Sequence, residues 1–208
     1  MKGVTMINDF IQLFENAGVP LPNENSLGNK IVPDDDKEKI INFWNWFGDS
    51  KIVDKQGRPL VVYHGTTSRF NSFDSTKSKN GFFFAPLNRK GFVSGYYAFG
   101  GNTPNGQIMA CYLKMETPLV DHRPNGLELR KAENDGTLSN YDGIIAVWDK
   151  AESSSFLQYD YIEDKPAYDI LNQGDPIEFV VFNPSQIKSV ENDGSFSTAS
   201  TNIYESFT

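Results

Sequence analysis

Apolar residues near the start of the chain recur at helical spacing. Ile7, Phe10, Ile11 and Phe14 fall on one face, and Gly18 supplies a stop. Residues 20–33 are polar and punctuated by Pro, Asn and Gly, which predicts a linker. Asp34, Asp35 and Asp36 then place negative charge where a second helix would begin and its backbone N–H groups lack partners. Ile40, Phe43, Trp44 and Phe47 form that helix's apolar stripe. Large aromatics at such positions are expected to pack in a core or at a docking face, so Trp44 and Trp46 are read that way.

Beyond Phe47 the pattern changes to short runs rich in β-branched and aromatic residues. Lys51-Ile52-Val53 and Leu60-Val61-Val62-Tyr63 flank the turn chemistry of residues 54–59. Further runs predict strands at 81–85, 107–115, 144–148, 177–182 and 186–190. A weak helix is expected over 87–99, where Gly91 and Gly95 each cost about 1 kcal/mol relative to Ala. Residues 121–141 and 149–176 read as long loops, and the Ser-, Thr- and Asn-rich tail from Glu191 reads as loose. The expected organisation is α+β: an N-terminal helical extension over 1–50, a strand-rich domain over 51–192, and a tail over 193–208.

Composition narrows the function classes. Apolar residues make up 38 % of the chain and aromatics 13 %, which sustains a packed core. The 208 residues fit one domain with a short extension. Net charge is −8, from 19 basic and 27 acidic residues. An acidic surface repels phosphate backbones, so a macromolecular partner is expected to be protein rather than nucleic acid. The single cysteine, Cys111, lies in an apolar run and reads as a small buried hydrophobe. One Cys with two His, His64 and His122, does not make a zinc site, and no metal is expected. No apolar run reaches the ~20 residues that span a bilayer. The start of the chain lacks the apolar core of a signal peptide, and a cytoplasmic location is expected.

Three places carry candidate chemistry. His64 follows a strand run and precedes Gly65, where the missing Cβ lets backbone approach a ligand closely. The Gly65 N–H and C=O are suited to gripping a planar amide, and Thr66 and Thr67 add hydroxyls. The same residues also read as a strand-end histidine before an ordinary turn. Glu178 opens a strand run, either as a solvated edge residue or as a fixed negative charge for an oxocarbenium-like transition state. One carboxylate suffices when the leaving group is already cationic. Phe83, with Ser94-Gly95-Tyr96-Tyr97, offers faces that attract a flat cationic ring, where three adjacent phenylalanines otherwise read as core.

The order of these places along the chain resembles a known family: the diphtheria-toxin and poly(ADP-ribose)-polymerase branch of the ADP-ribosyltransferases. It is closer still to the transferase domains of phage polyvalent proteins. In those domains a phrase like Phe47-Gly48-Asp49-Ser50-Lys51-Ile52-Val53-Asp54 leads into Gly57-Arg58-Pro59-Leu60-Val61-Val62-Tyr63-His64-Gly65-Thr66. Their last strand resembles Phe182-Asn183-Pro184-Ser185-Gln186-Ile187-Lys188-Ser189. The resemblance spans about residues 43–190. It implies a split β-sandwich, with NAD as co-substrate held by His64, Gly65, Thr66, Phe83, Ser94 and Tyr97. Within that set, His64 hydrogen-bonds ribose, Gly65 and Ser94 hold the nicotinamide amide, and Tyr97, with Tyr96 as competitor, stacks on its ring. Glu178, with His64 beside it, matches the catalytic position. Phe83 departs from the family's usual Tyr and keeps a ring face without the hydroxyl. The arginine-specific branch fits poorly, because Pro176 stands where its second Glu belongs.

The resemblance implies mono-ADP-ribosyl transfer to a macromolecular acceptor, in the manner of a toxin or effector. Acceptor choice is expected in residues 72–79 or 149–176. With water as acceptor the outcome is NAD hydrolysis. Two readings of another class are a catalytically silent NAD- or partner-binding module and an interaction module built on the Trp44 and Trp46 helix.

Overall fold

The computed structural model describes residues 3–87, 98, 106–123, 126–148 and 175–205. Helix α1 spans Gly3–Ala17. It stops at Gly18, whose φ of 64° is the left-handed conformation open to glycine. Helix α2 spans Lys37–Phe47, and the Asp36 carboxylate caps it by accepting the N–H groups of Glu38 and Lys39. The intervening linker is packed rather than merely polar. Leu21, Ile31 and Val32 are buried. Asn25 donates to the Tyr112 hydroxyl at 2.9 Å, and the Trp44 indole donates to the Pro22 carbonyl at 2.8 Å.

Strands β1 (Val62–Thr66), β3 (Gln107–Leu113) and β7 (Ile187–Ser189) form an antiparallel sheet in the order β1-β3-β7. Strands β2 (Phe82–Phe84), β4 (Pro118–Arg123), β5 (Gly143–Trp148) and β6 (Asp175–Val181) form a second sheet in the order β2-β6-β5-β4. Within it β4 and β5 run parallel and the other pairs antiparallel. A parallel pair needs a crossover, and helix α3 (Leu127–Asn134) lies in it.

Strand alternation sorts the side chains into layers. Val62, Cys111, Leu113 and Ile187 of the first sheet share one core with Phe82, Phe84, Ile145, Phe179 and Val181 of the second. The other face of the first sheet presents Tyr63 and Tyr112 to α2, where Phe43, Trp44, Trp46 and Phe47 are buried. The other face of the second sheet packs Leu119, Ile144 and Val180 against Ala132 of α3. Among the described residues the fold is α+β, with three helices and two sheets. None of these helices is long and apolar enough to cross a membrane.

Three expectations change. β1 does not end at Tyr63, because residues 107–109 of β3 pair with His64, Gly65 and Thr66 and hold them in the strand. Residues 121–141 are not one long loop but contain the end of β4, α3 and a 3-10 turn over Thr137–Asn140. The tail expected to be loose is tied down as far as Glu205: Phe196, Ile203 and Glu205 are all buried. The weak helix expected at 87–99 and the loop at 149–176 lie mostly outside the described residues.

Candidate active site

β1 is an edge strand of its sheet, and at one point it crosses to the other. Tyr63 N–H donates to the Ala85 carbonyl at 2.9 Å, and Ala85 N–H returns to the Tyr63 carbonyl at 2.8 Å. One residue on, the His64 Nδ1 lies 2.8 Å from the Phe83 carbonyl oxygen. A carbonyl only accepts, so Nδ1 carries the proton and the neutral ring keeps Nε2 as an acceptor. Phe73, Phe84 and Phe70 surround the imidazole, with ring centroids at 4.9, 5.4 and 6.3 Å. That burial pulls the His64 pKa below its ordinary 6.5, against the Phe83 carbonyl, which raises it.

Gly65 and Thr66 continue β1 opposite Ile108 and Gln107. Backbone groups two residues apart in a strand point to the same edge. The N–H and C=O of Gly65 therefore face the edge on which Tyr63 meets Ala85, not the edge taken by β3. The Thr66 hydroxyl accepts the Ser68 N–H at 3.1 Å.

Phe83 lies on β2 between two buried phenylalanines and is itself 40 % exposed. It pairs with Val180 of β6, and Phe84 pairs with Phe179. Phe179 points into the core between the sheets. By alternation Glu178 points to the other face, the one that carries Val180 and Phe83. Phe83 and Glu178 are thus diagonal neighbours on one sheet face, a separation that long side chains span. Opposite Glu178 on β5 is Ala146, and the register between the two strands shifts immediately after this pair. Such bulges re-aim neighbouring side chains and recur beside active sites. Beyond Ala146 in the same row is Asp121, buried, with a carboxylate oxygen accepting the Leu129 N–H of α3 at 3.0 Å.

The structure brings His64, Gly65, Thr66, Phe83 and Glu178 to one region, where the edge of the first sheet meets the second. Ser94 and Tyr97 lie outside the described residues. Phe70 and Phe73, which enclose His64, escape a motif reading. Their only trace is a pair of aromatics three residues apart in an otherwise polar stretch. Cys111 is buried, and burial pushes its thiol pKa up, so it is no nucleophile.

The family model for ADP-ribosyltransferases in polyvalent proteins matches residues 54–196. The chain belongs to that family. The matched span takes in all seven strands of the described residues and all seven of the candidate site residues named above, and it leaves out α1 and α2. Comparisons with curated proteins and with solved structures matched nothing. Membership makes this chain a transferase of the ADP-ribosyl type, and the α+β fold with two sheets described above is consistent with it.

Proposed function

We propose that this ADP-ribosyltransferase takes NAD as donor and moves one ADP-ribose to a macromolecular acceptor, a protein by preference, with release of nicotinamide. The observation that carries the reading is the bond from the His64 imidazole to the Phe83 backbone. It couples the β1 clamp to the sheet face that holds Glu178. In this reading the two sheets are the halves of a split β-sandwich, and NAD lies where they part. The His64 Nε2 accepts a ribose hydroxyl. The outward-turned N–H and C=O of Gly65 meet the nicotinamide carboxamide, with Ser94 on the same amide and the Thr66 hydroxyl close by. Phe83 and Tyr97 stack on the ring.

The reaction breaks the bond between the ribose anomeric carbon and the nicotinamide nitrogen. The electron pair leaves with nicotinamide, which departs neutral. Positive charge grows on the sugar, and the Glu178 carboxylate stabilises it while holding the ribose 2′-hydroxyl. A lone pair of the acceptor then bonds to the anomeric carbon, and the acceptor loses its proton to solvent. The protein preference follows from the net charge of −8.

The direct test compares the parent and Glu178→Gln on labelled NAD with an acceptor lysate. Nicotinamide release should fall by at least about 100-fold, the scale of losing one electrostatic stabiliser, and NAD affinity should stay within threefold. Equal release by the two proteins would exclude the role given to Glu178. A second reading, an NAD-binding module without turnover, rests on Phe83 standing where the family has Tyr. It predicts NAD binding with no nicotinamide release from the parent.

A further inference from the structure

The imidazole of His64 rests on residues 70–73, and those residues are held by the far end of the chain. Ile203 N–H donates to the Asn71 carbonyl at 2.8 Å, and the Ser72 hydroxyl donates to the Thr201 hydroxyl at 2.9 Å. Ser72 and Asn202 pair as an isolated antiparallel bridge. Ile203 and Phe73 are buried in one core, against which Phe70 also packs. The segment 197–205 that makes these contacts is closed on itself by a buried ion pair, Lys188 with Glu205, both side chains fully excluded from solvent. An ammonium has three N–H donors. Lys188 pairs with the Glu205 carboxylate and donates to the carbonyls of Ser200 and Asn202, at 3.0 and 3.3 Å. The second oxygen of Glu205 accepts the Ser197 N–H at 2.8 Å. Both ends of the segment are therefore pinned by one carboxylate, and its middle by one ammonium.

Ion pairs of this kind are weak stabilisers, because desolvating both charges cancels most of their attraction, yet removing one partner alone is strongly disruptive. In some proteins such a pair contributes a defined register instead. Here the register places Thr201, Asn202 and Ile203 against Asn71 and Ser72, and so sets where Phe70 and Phe73 stand around His64. Phe196 and Glu205 take positive φ values of 40° and 56°. Residues other than glycine keep that conformation only where their surroundings over-determine it.

We infer that the Lys188–Glu205 pair is a latch and that the C-terminal segment it closes is the positioning element for His64, acting through residues 70–73. The inference rests on His64 being the NAD clamp only for its kinetic consequence; the structural coupling stands apart from that. Lys188 and Glu205 are positioning residues and touch no substrate.

The test follows His64 itself. The chain has two histidines, so the His64 ring protons are assigned by comparison with His122→Asn. In the parent they should carry ring-current shifts from Phe70, Phe73 and Phe84. In Glu205→Gln the contributions of Phe70 and Phe73 should be lost and that of Phe84 kept. KM for NAD, read from nicotinamide release, should rise about fivefold with kcat within twofold, since binding rather than chemistry is disturbed. The double variant Lys188→Met/Glu205→Met, which replaces the pair with apolar groups of similar volume, should restore both. Unmoved His64 shifts in a folded Glu205→Gln protein would overturn the latch. Shifts that collapse while KM stays unchanged would uphold the latch and remove the clamp role of His64. If Glu205→Gln does not fold, Ser72→Ala/Thr201→Val removes the side-chain bond to residues 70–73 without touching the buried pair, and the same two readings decide by the direction of their change.

Discussion

At the scale of single residues, the protonation of His64 is the most consequential detail. Its pKa lies below 6.5 because burial disfavours the charged ring. Below 6.5 the unfolded chain therefore binds a proton more readily than the folded one, and linkage makes stability rise with pH through that window. The contribution is complete above 6.5 and is lost as pH falls through the folded value. Protonation also converts Nε2 from acceptor to donor, so NAD affinity should fall over the same interval. Urea unfolding and NAD titration at several pH values between 5 and 7.5 check both effects, and His64→Gln should flatten both curves. The direction of Phe83 and Glu178 follows from simple alternation around Phe179, whereas their assignment as site residues came from the resemblance in motif order and not from any local signal. The phenylalanine rings around His64 were not readable, because contact between residues 64 and 73 depends on how a loop folds back rather than on any local period.

At the scale of elements, legibility tracked the strength of local signals. Helix α2 announces itself through Asp36 and an apolar stripe, and both appear in the structure as cap and buried face. Asp36→Ala should cost about 1 kcal/mol, as other N-cap deletions do. A fall of a few degrees in the thermal midpoint would register it, and Asp36→Asn should recover most of the loss. Helix α3 lacks such signals. It starts after Gly126 without a side-chain cap of its own, and its buried side shows only Ala132, with Leu129 partly covered. Its Leu129 N–H instead finds a carboxylate on β4, Asp121, a contact made across elements that no capping pattern in the sequence marks. The end of β1 was misplaced at Tyr63 for the opposite reason. A glycine after a strand run favours a turn locally, but five consecutive pairings with β3 outweigh that preference.

At the scale of the molecule, the aromatic cluster around α2 unites parts of the chain far apart in sequence. Phe43 contacts Tyr112 of β3 and Phe196 of the tail, with ring centroids at 5.2 and 5.1 Å. The sequence divides these into extension, domain and tail, whereas the packing shares one core among them. Phe196→Ala should therefore cost about 3–5 kcal/mol, the usual range for deleting a buried aromatic ring. Helix loss followed by far-ultraviolet circular dichroism and core loss followed by tryptophan fluorescence should move together in one transition. Separate melting of the two signals would count against a shared core. The tail was illegible for a physical reason. It holds few apolar residues, and much of its fixation comes from Asn and Ser side chains bonding backbone, as Asn192 and Asn202 do.

The Lys188–Glu205 pair has a practical corollary for dissecting the protein. The span recognised as the transferase ends at residue 196, which retains Lys188 and discards Glu205. A fragment cut there keeps all of the named site residues but loses Ser200, Asn202 and Glu205, which hold Lys188, and Ile203, which packs in one core with Phe73. Such a fragment should be insoluble or inactive with every motif in place. A fragment meant to keep the surroundings of His64 should therefore run through Glu205.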